Sequence, residues 1–118
     1  MDDIIHSRKN PIIKHVKSLH QKKYRDKFGE FFVEGSKIVK EALKEDSCIN
    51  MIVISENFNW DNSDIKISAC KSGIDCWRVS ASVFEYISDT HTPQGIIAII
   101  QKRQYNIDDA LNKPKVFF

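Results

Sequence analysis

Cysteine is scarce in this sequence, and its cysteines are not arranged for a shared task. Cys48, Cys70 and Cys76 are odd in number and lack the close pairing that a zinc site requires. An odd count also argues against a framework of disulfide bonds of the kind that small secreted domains use. We therefore expect reduced thiols, with no metal and no disulfide.

Long apolar runs are missing as well. No stretch approaches the roughly 20 consecutive apolar residues that a membrane-spanning helix needs. The N-terminus, Met1-Asp2-Asp3, is acidic where a secretory signal peptide would be basic. These absences argue against a membrane partner and predict a cytoplasmic protein.

The sequence also lacks the common catalytic and nucleotide-binding motifs. It contains no Gly-x-Gly-x-x-Gly, no phosphate-loop pattern and no His-Glu-x-x-His. Ser36 has no histidine close to it in sequence that would activate it as a nucleophile, and His91 stands alone beside Thr92-Pro93. We predict no catalytic, metal-binding or cofactor-binding residue in this chain.

What is present is an alternation of helix and strand patterns. The composition, with 42% hydrophobic and 29% charged residues, is that of one ordinary globular domain. Strands are predicted at Phe31–Val33, Ile49–Ile54, Ile74–Val79 and Ile96–Ile100. Helices are predicted to begin with caps or first residues at Asn10-Pro11, Ser36, Asp64 and Ser82, the last with capping-box spacing to Glu85.

The most apolar segment, Ile96–Ile100, has no polar residue and therefore suggests a strand that is covered on both faces. Strands that alternate with helices are typical of layered α/β folds. We predict an α/β fold, a three-layer α/β/α sandwich around a mostly parallel sheet of about four strands.

Positive charge is concentrated near the N-terminus. Residues 1–27 hold eight lysines and arginines against three aspartates, a net charge of +5, although the whole chain carries only +2. Such asymmetry suggests a polyanion partner, because cationic side chains displace the counterions condensed on phosphates. The alternative reading is a solvated basic helix that binds nothing.

A predicted strand-to-helix corner lies at Glu34-Gly35-Ser36. Gly35 permits a backbone conformation that a Cβ atom would obstruct, and the first N–H groups of the following helix could receive an anion such as a phosphate. In the simpler reading, Gly35 only turns the chain and Ser36 only caps the helix. Taken alone, these residues favour the simpler reading.

Four sequence blocks stand out by their order and spacing, namely Ser7–Lys14, Leu19–Arg25, Phe31–Gly35 and Asp89–Ile96. Together they resemble the N-terminal substrate-binding domain of the SpoU/TrmH family of RNA 2′-O-ribose methyltransferases. Their order and spacing carry the resemblance, which covers nearly the whole chain. In that family the domain resembles certain ribosomal proteins and precedes a knotted catalytic domain that binds S-adenosylmethionine.

The resemblance implies a set of RNA-binding residues in three groups. Basic residues would contact phosphates, which position an RNA without reading its sequence. The corner motif would mainly shape the surface and contact RNA second, because a carboxylate beside a phosphate is repelled unless a cation such as Arg25 pairs with it. In the later loop, Gln94 would either hydrogen-bond a base or a ribose or satisfy backbone groups of the loop. The basic residues are Arg8, Lys9, Lys14, Lys17, Lys22, Lys23 and Arg25, the corner residues are Glu34 and Gly35, and the loop residues are Thr92 and Gln94.

The resemblance also implies a division of the chain. Residues 1–105 would form the RNA substrate-binding domain, and residues 106–118 would be a linker and the first strand of a catalytic domain that is not present. This chain would then bind ribosomal or transfer RNA without methylating it, and S-adenosylmethionine would serve the parent enzyme only. The parent would be a homodimer through the missing domain, and this chain a monomer or weak dimer.

Two other functions remain open at this point. One is a stand-alone RNA-binding module similar to a ribosomal protein, and the other is a protein-interaction domain whose basic face docks an acidic partner. All three readings share the fold and the basic N-terminal segment.

Overall fold

The computed structural model describes residues 3–44, 48–61, 63–90 and 93–102. Five helices and five strands are found within them. The order is β1 (Ile4–Ile5), α1 (Pro11–Ser18), α2 (Lys22–Phe28), β2 (Glu30–Glu34), α3 (Ser36–Lys44), β3 (Ile49–Ser55), α4 (Asp64–Ser72), β4 (Asp75–Val79), α5 (Ala81–Ile87) and β5 (Ile96–Gln101).

The strands form one mixed sheet with the order β1-β4-β3-β5-β2. β4 pairs in parallel with β1 and β3, whereas β5 is antiparallel to both of its neighbours, β3 and β2. Four of the five described strands therefore point in the same direction, with β5 reversed. The predicted α/β class with a mostly parallel sheet is confirmed, with one strand more than expected.

Side chains alternate between the two faces of the central strands, as the period of a strand requires. In β3, Val53 packs on the face covered by α1 and α5, while Ile52 and Ile54 pack on the face covered by α3 and α4. In β5, all residues from Ile96 to Ile100 are buried, which confirms the strand predicted to be covered on both sides. The three-layer sandwich therefore has one apolar core on each side of the sheet.

The first predicted helix forms as expected from its cap. The Asn10 side-chain oxygen accepts a hydrogen bond from the Ile12 N–H at 2.9 Å, and Pro11 is the first helical residue. Ile13, Val16 and Leu19 are fully buried, so the apolar side of α1 covers the sheet.

Two predicted helix caps are wrong by one or two residues. α5 begins at Ala81, and the Ser80 hydroxyl oxygen accepts the Val83 N–H at 3.2 Å, so Ser82 lies inside the helix. α4 is capped by Ser63, whose hydroxyl accepts the Lys66 N–H, and Asp64 is its first residue. Several residues with capping side chains occur in succession at both places, and only the backbone conformation selects one of them.

The sequence patterns did not predict one helix and one strand of the structure. Residues 22–28, interpreted as charge beyond the end of a helix, form α2, which buries none of its residues and so has no apolar periodicity to reveal it. Ile4–Ile5, interpreted as a lead-in, form β1 and extend the sheet beyond β4. The predicted linker and strand at 106–118 lie outside the described residues.

Candidate nucleic-acid interface

The ends of several strands meet at one edge of the sheet, here called the carboxyl edge. It consists of the residues that follow β2, β3 and β4 and those that precede β5. Backbone hydrogen bonds join these segments: the Gly35 N–H donates to the Ile96 carbonyl at 3.0 Å, and the Ser55 N–H donates to the Gly95 carbonyl at 2.9 Å. Ligands of open α/β sheets commonly bind outside this end of the strands.

The corner at Gly35 depends on a backbone conformation that favours glycine. Its φ angle is +112°, and a Cβ atom placed there would lie 3.1 Å from the Gln94 side-chain oxygen. That oxygen accepts a hydrogen bond from the Ser36 N–H at 3.0 Å. Gln94 therefore reaches across the carboxyl edge to cap α3, and it occupies an N–H group that could otherwise receive a phosphate.

Glu34 organises the loop that follows α5. Its two carboxylate oxygens accept hydrogen bonds from the Ser88 hydroxyl at 2.5 Å, the Asp89 N–H at 3.1 Å and the Thr90 hydroxyl at 3.3 Å. The two motif loops, remote in sequence, are thus bonded to each other. These contacts give Glu34 a role in shaping the surface.

The Arg25 side chain lies near the same loop, but its hydrogen-bond partners differ from those expected. A phosphate beside Glu34 was expected to need a cation such as Arg25 paired with that carboxylate. Instead, the Arg25 guanidinium donates to the carbonyl oxygens of Leu19 and His20, both at 3.0 Å, and so satisfies the C-terminal end of α1. Arg25 and Glu34 both line one open groove of about 360 Å³.

Arg8 and Lys17 both contact the same aromatic ring. The Arg8 guanidinium carbon is 4.5 Å and the Lys17 amine 4.6 Å from the centre of the Tyr86 ring, distances typical of cation–π contacts. Lys17 also donates to the Tyr86 carbonyl at 2.9 Å. The two cations therefore help to hold α1 and the segment before it against α5.

The other predicted cations are exposed on α1, on α2 and in the segment before α1. Lys9 and Lys14 are exposed, and Lys23 rests over the Tyr24 ring at 4.9 Å. The Lys22 amine donates a hydrogen bond to the Asp26 carboxylate at 2.8 Å. This hydrogen bond lowers the pKa of the Asp26 carboxyl, and a hydrogen bond from Lys102 lowers it further. Within the described residues, no hydrogen bond, ion pair or cation–π contact joins these four cations to the carboxyl edge.

His20 was not predicted as a site residue, although it links three parts of this surface. Its Nε2–H donates to the Ile87 carbonyl at 2.8 Å, its ring centre is 5.0 Å from that of Phe32, and its Nδ1 atom is 3.9 Å from an Asp89 carboxylate oxygen. Because these partners lie far away in sequence, no local pattern could have indicated them.

The structure thus brings Gly35 and Gln94 into contact, and places Arg25 beside Glu34. It puts Arg8 and Lys17 on a shared ring, whereas the other predicted lysines are exposed. Thr92, the remaining predicted residue, lies outside the described residues.

Metal and membrane features are not found in the part of the chain that the structure describes. No group of three or more histidine, cysteine or acidic residues there could hold a metal ion, and no helix there is long and apolar enough to span a bilayer. The three cysteines are free, and burial raises the pKa of the Cys76 thiol to about 11.

Comparison with protein families gives a match over residues 10–98, to a family described as the MRM3-like substrate binding domain. This chain belongs to that family. The match extends from α1 into β5, so it includes the basic helices, the corner at Gly35 and the Gln94 loop. The resemblance to SpoU/TrmH methyltransferases seen in the sequence is confirmed.

Relatives of the MRM3-like domain are longer methyltransferases. The 23S rRNA (guanosine(2553)-2′-O)-methyltransferase RlmP of Bacillus subtilis is 37% identical over 95 residues, which are 80% of this chain and 36% of that protein. An uncharacterized tRNA/rRNA methyltransferase of Synechocystis is 25% identical over 86% of this chain and 37% of its own length. The chain therefore spans little more than a third of the length of these relatives.

A solved structure shares the fold closely. The rRNA methyltransferase from Sinorhizobium meliloti superposes with a TM-score of 0.73 and 27% identity, over 87% of this chain and 38% of that one. The same enzyme with bound AdoMet gives the same score, over 91% of this chain. The architecture described above is thus that of a domain in rRNA methyltransferases.

Proposed function

We propose that this MRM3-like domain binds folded ribosomal RNA and positions it for a methyltransferase domain, which transfers a methyl group from S-adenosylmethionine to a ribose 2′-oxygen. The observation that supports it most is the family match, which spans both motif loops of the carboxyl edge. In this role the domain contributes by positioning the target nucleotide, and its residues need no chemistry of their own.

The contacts suggest a division of labour among the predicted residues. Lys9, Lys14, Lys22 and Lys23 are exposed, so their amines can reach phosphates. Glu34, Gly35, Arg25 and Gln94 build the surface that the RNA would meet, because their polar atoms hold neighbouring segments in place. Thr92, which lies outside the described residues, stays a predicted RNA contact.

S-adenosylmethionine carries a positively charged sulfonium group, which a binding site has to accommodate. One cavity of about 510 Å³ is lined by Lys66 and Arg78 as well as Asp3 and Asp75, and these opposite charges offer that group no net attraction. We assign the cofactor to the methyltransferase domain, and we infer a cytoplasmic location because its proposed substrate is ribosomal RNA.

The proposal is tested by removing exposed lysines of the basic helices. Replacing Lys14, Lys22 and Lys23 together with alanine should weaken binding to a folded ribosomal RNA fragment. Each lost phosphate contact should also lower the slope of log affinity against log salt by about 0.7 to 0.9. Binding is measured by fluorescence anisotropy at several salt concentrations.

The matched control removes the same number of positive charges from the opposite side of the sheet. Lys40, Lys44 and Lys71 are exposed on α3 and α4, so their triple alanine variant has the same net charge. The control should bind RNA nearly as well as the unaltered chain. Equal losses in both variants would mean that only overall charge matters and would contradict an interface on α1 and α2.

A further inference from the structure

A cavity opens at the carboxyl edge beside Gln94. Its volume is about 270 Å³, just below the roughly 300 Å³ at which pockets for drug-sized ligands begin. It lies between the end of β3, the start of α5 and the start of β5. The lining residues are Ser55, Asn57, Phe58, Ala81, Phe84, Glu85, Pro93, Gln94 and Gly95.

The walls of this cavity suit a flat, neutral, polar ring. Phe58, which is half-buried, provides the accessible aromatic surface, since Phe84 is only 1% exposed. Asn57 and Gln94 provide amide groups with both donors and acceptors. None of the described residues that line it is a lysine or an arginine, while Glu85 is acidic, so a phosphate would be disfavoured there. Unpaired bases bind proteins through this combination of aromatic stacking and hydrogen bonds to their edges.

The cavity is connected to the proposed interface by one side chain. Gln94 lines the cavity and also accepts the hydrogen bond from the Ser36 N–H at the Gly35 corner. Because the Gln94 oxygen is held there, the position of this side chain is fixed relative to both features. An RNA that crosses the corner would therefore pass the mouth of the cavity.

We propose that this cavity receives a single unpaired nucleobase of the bound RNA. The inference rests on the proposed function, since it identifies which part of a folded RNA the domain recognises. A bulge or loop would be preferred over a continuous duplex, because a base must leave the helical stack to enter.

The test compares three RNA hairpins of matched length with the 118-residue chain. The first has one bulged adenosine, the second has an abasic nucleotide at that position, and the third is fully paired. The abasic hairpin keeps the phosphate and lacks only the base. We expect the bulged adenosine hairpin to bind about tenfold more tightly than the abasic one, as for stacking of one base on an aromatic side chain.

A cavity-filling variant, Ala81→Met, should remove this tenfold preference and leave binding to the paired hairpin unchanged. The control is Ser82→Met, at the next residue of α5, which is exposed and does not line the cavity. Phe58→Leu is a second variant that keeps apolar volume but removes the ring, and it should also lose the preference. Thermal unfolding monitored by circular dichroism confirms that each variant is folded.

The outcomes separate the two proposals. Loss of the preference in Ala81→Met and Phe58→Leu, but not in Ser82→Met, supports the base-binding cavity. Binding of all three hairpins with equal affinity, or a preference that survives in both folded cavity variants, overturns it while leaving RNA binding intact. Failure of the unaltered chain to bind any hairpin overturns the proposed function as well.

Discussion

Gln94 and Glu34 both use their polar atoms on other parts of the protein. The Gln94 side-chain oxygen caps α3 through Ser36, and the Glu34 carboxylate holds the Ser88, Asp89 and Thr90 segment. A motif that resembles an RNA-binding sequence can therefore reflect a requirement for shape. At this scale, the expected effect of changing such a residue is a loss of order at the carboxyl edge.

Gly35→Ala tests that requirement directly. The φ angle of +112° is strained for any other residue, and the new Cβ would lie 3.1 Å from the Gln94 oxygen. We expect the free energy of unfolding to fall by ~2–3 kcal/mol. Urea denaturation followed by circular dichroism measures the change.

The matched control for this substitution is Gly73→Ala. Gly73 also has a positive φ, of +68°, but a Cβ there would meet no atom within 4 Å. Its cost should be only the ~1–2 kcal/mol of a left-handed residue. If the free energy of unfolding fell equally in the two variants, the close contact with Gln94 would not contribute to the cost of Gly35→Ala.

At the scale of elements, amphipathic patterns predicted the buried helices and strands well. α1, α3 and β5 carry strong apolar periodicity or long apolar runs, and each was predicted within a few residues of its bounds. α2 lacks a buried residue and β1 has two residues, so neither offers a pattern. Their positions are set by tertiary contacts, such as the pairing of β1 with β4.

The start of α5 gives a prediction at this scale. Ser80→Ala should destabilise the protein by ~1 kcal/mol, because its hydroxyl accepts the Val83 N–H at 3.2 Å. Ser82→Ala removes a hydroxyl that caps no helix. It should change the free energy of unfolding by only a few tenths of a kcal/mol. Thermal unfolding of both variants shows which serine caps α5. A larger loss of stability in Ser82→Ala would mean that Ser82 is the cap, as the capping-box spacing predicted.

The candidate site could be predicted only in part, for a related reason. The basic segment and both motif loops were evident in the sequence, because they are local. The contact between Gln94 and Ser36, the Glu34 contacts with the 88–90 segment, and the cavity at Phe58 join segments that are far apart. Arg25 was grouped with the surface cations, since nothing in the sequence shows that its guanidinium donates to carbonyl oxygens at the end of α1.

At the scale of the whole molecule, the sheet separates two different surfaces. α1 and α5 cover one face, with exposed cations on α1 and on the neighbouring α2, and α3 and α4 cover the other. The carboxyl edge lies at the end of the sheet, where the motif loops meet. A folded RNA that contacts the basic helices and this edge would use both the charge and the shape of the domain.

The most direct test of the central claim is a binding titration of the chain against two RNAs of equal length, a folded ribosomal RNA fragment and an unstructured RNA. We predict that the folded fragment binds at least about tenfold more tightly and keeps this advantage between about 50 and 200 mM salt, because nonspecific phosphate contacts weaken with salt for both RNAs. Equal binding to both RNAs, lost together as salt rises, would contradict a substrate-recognition role.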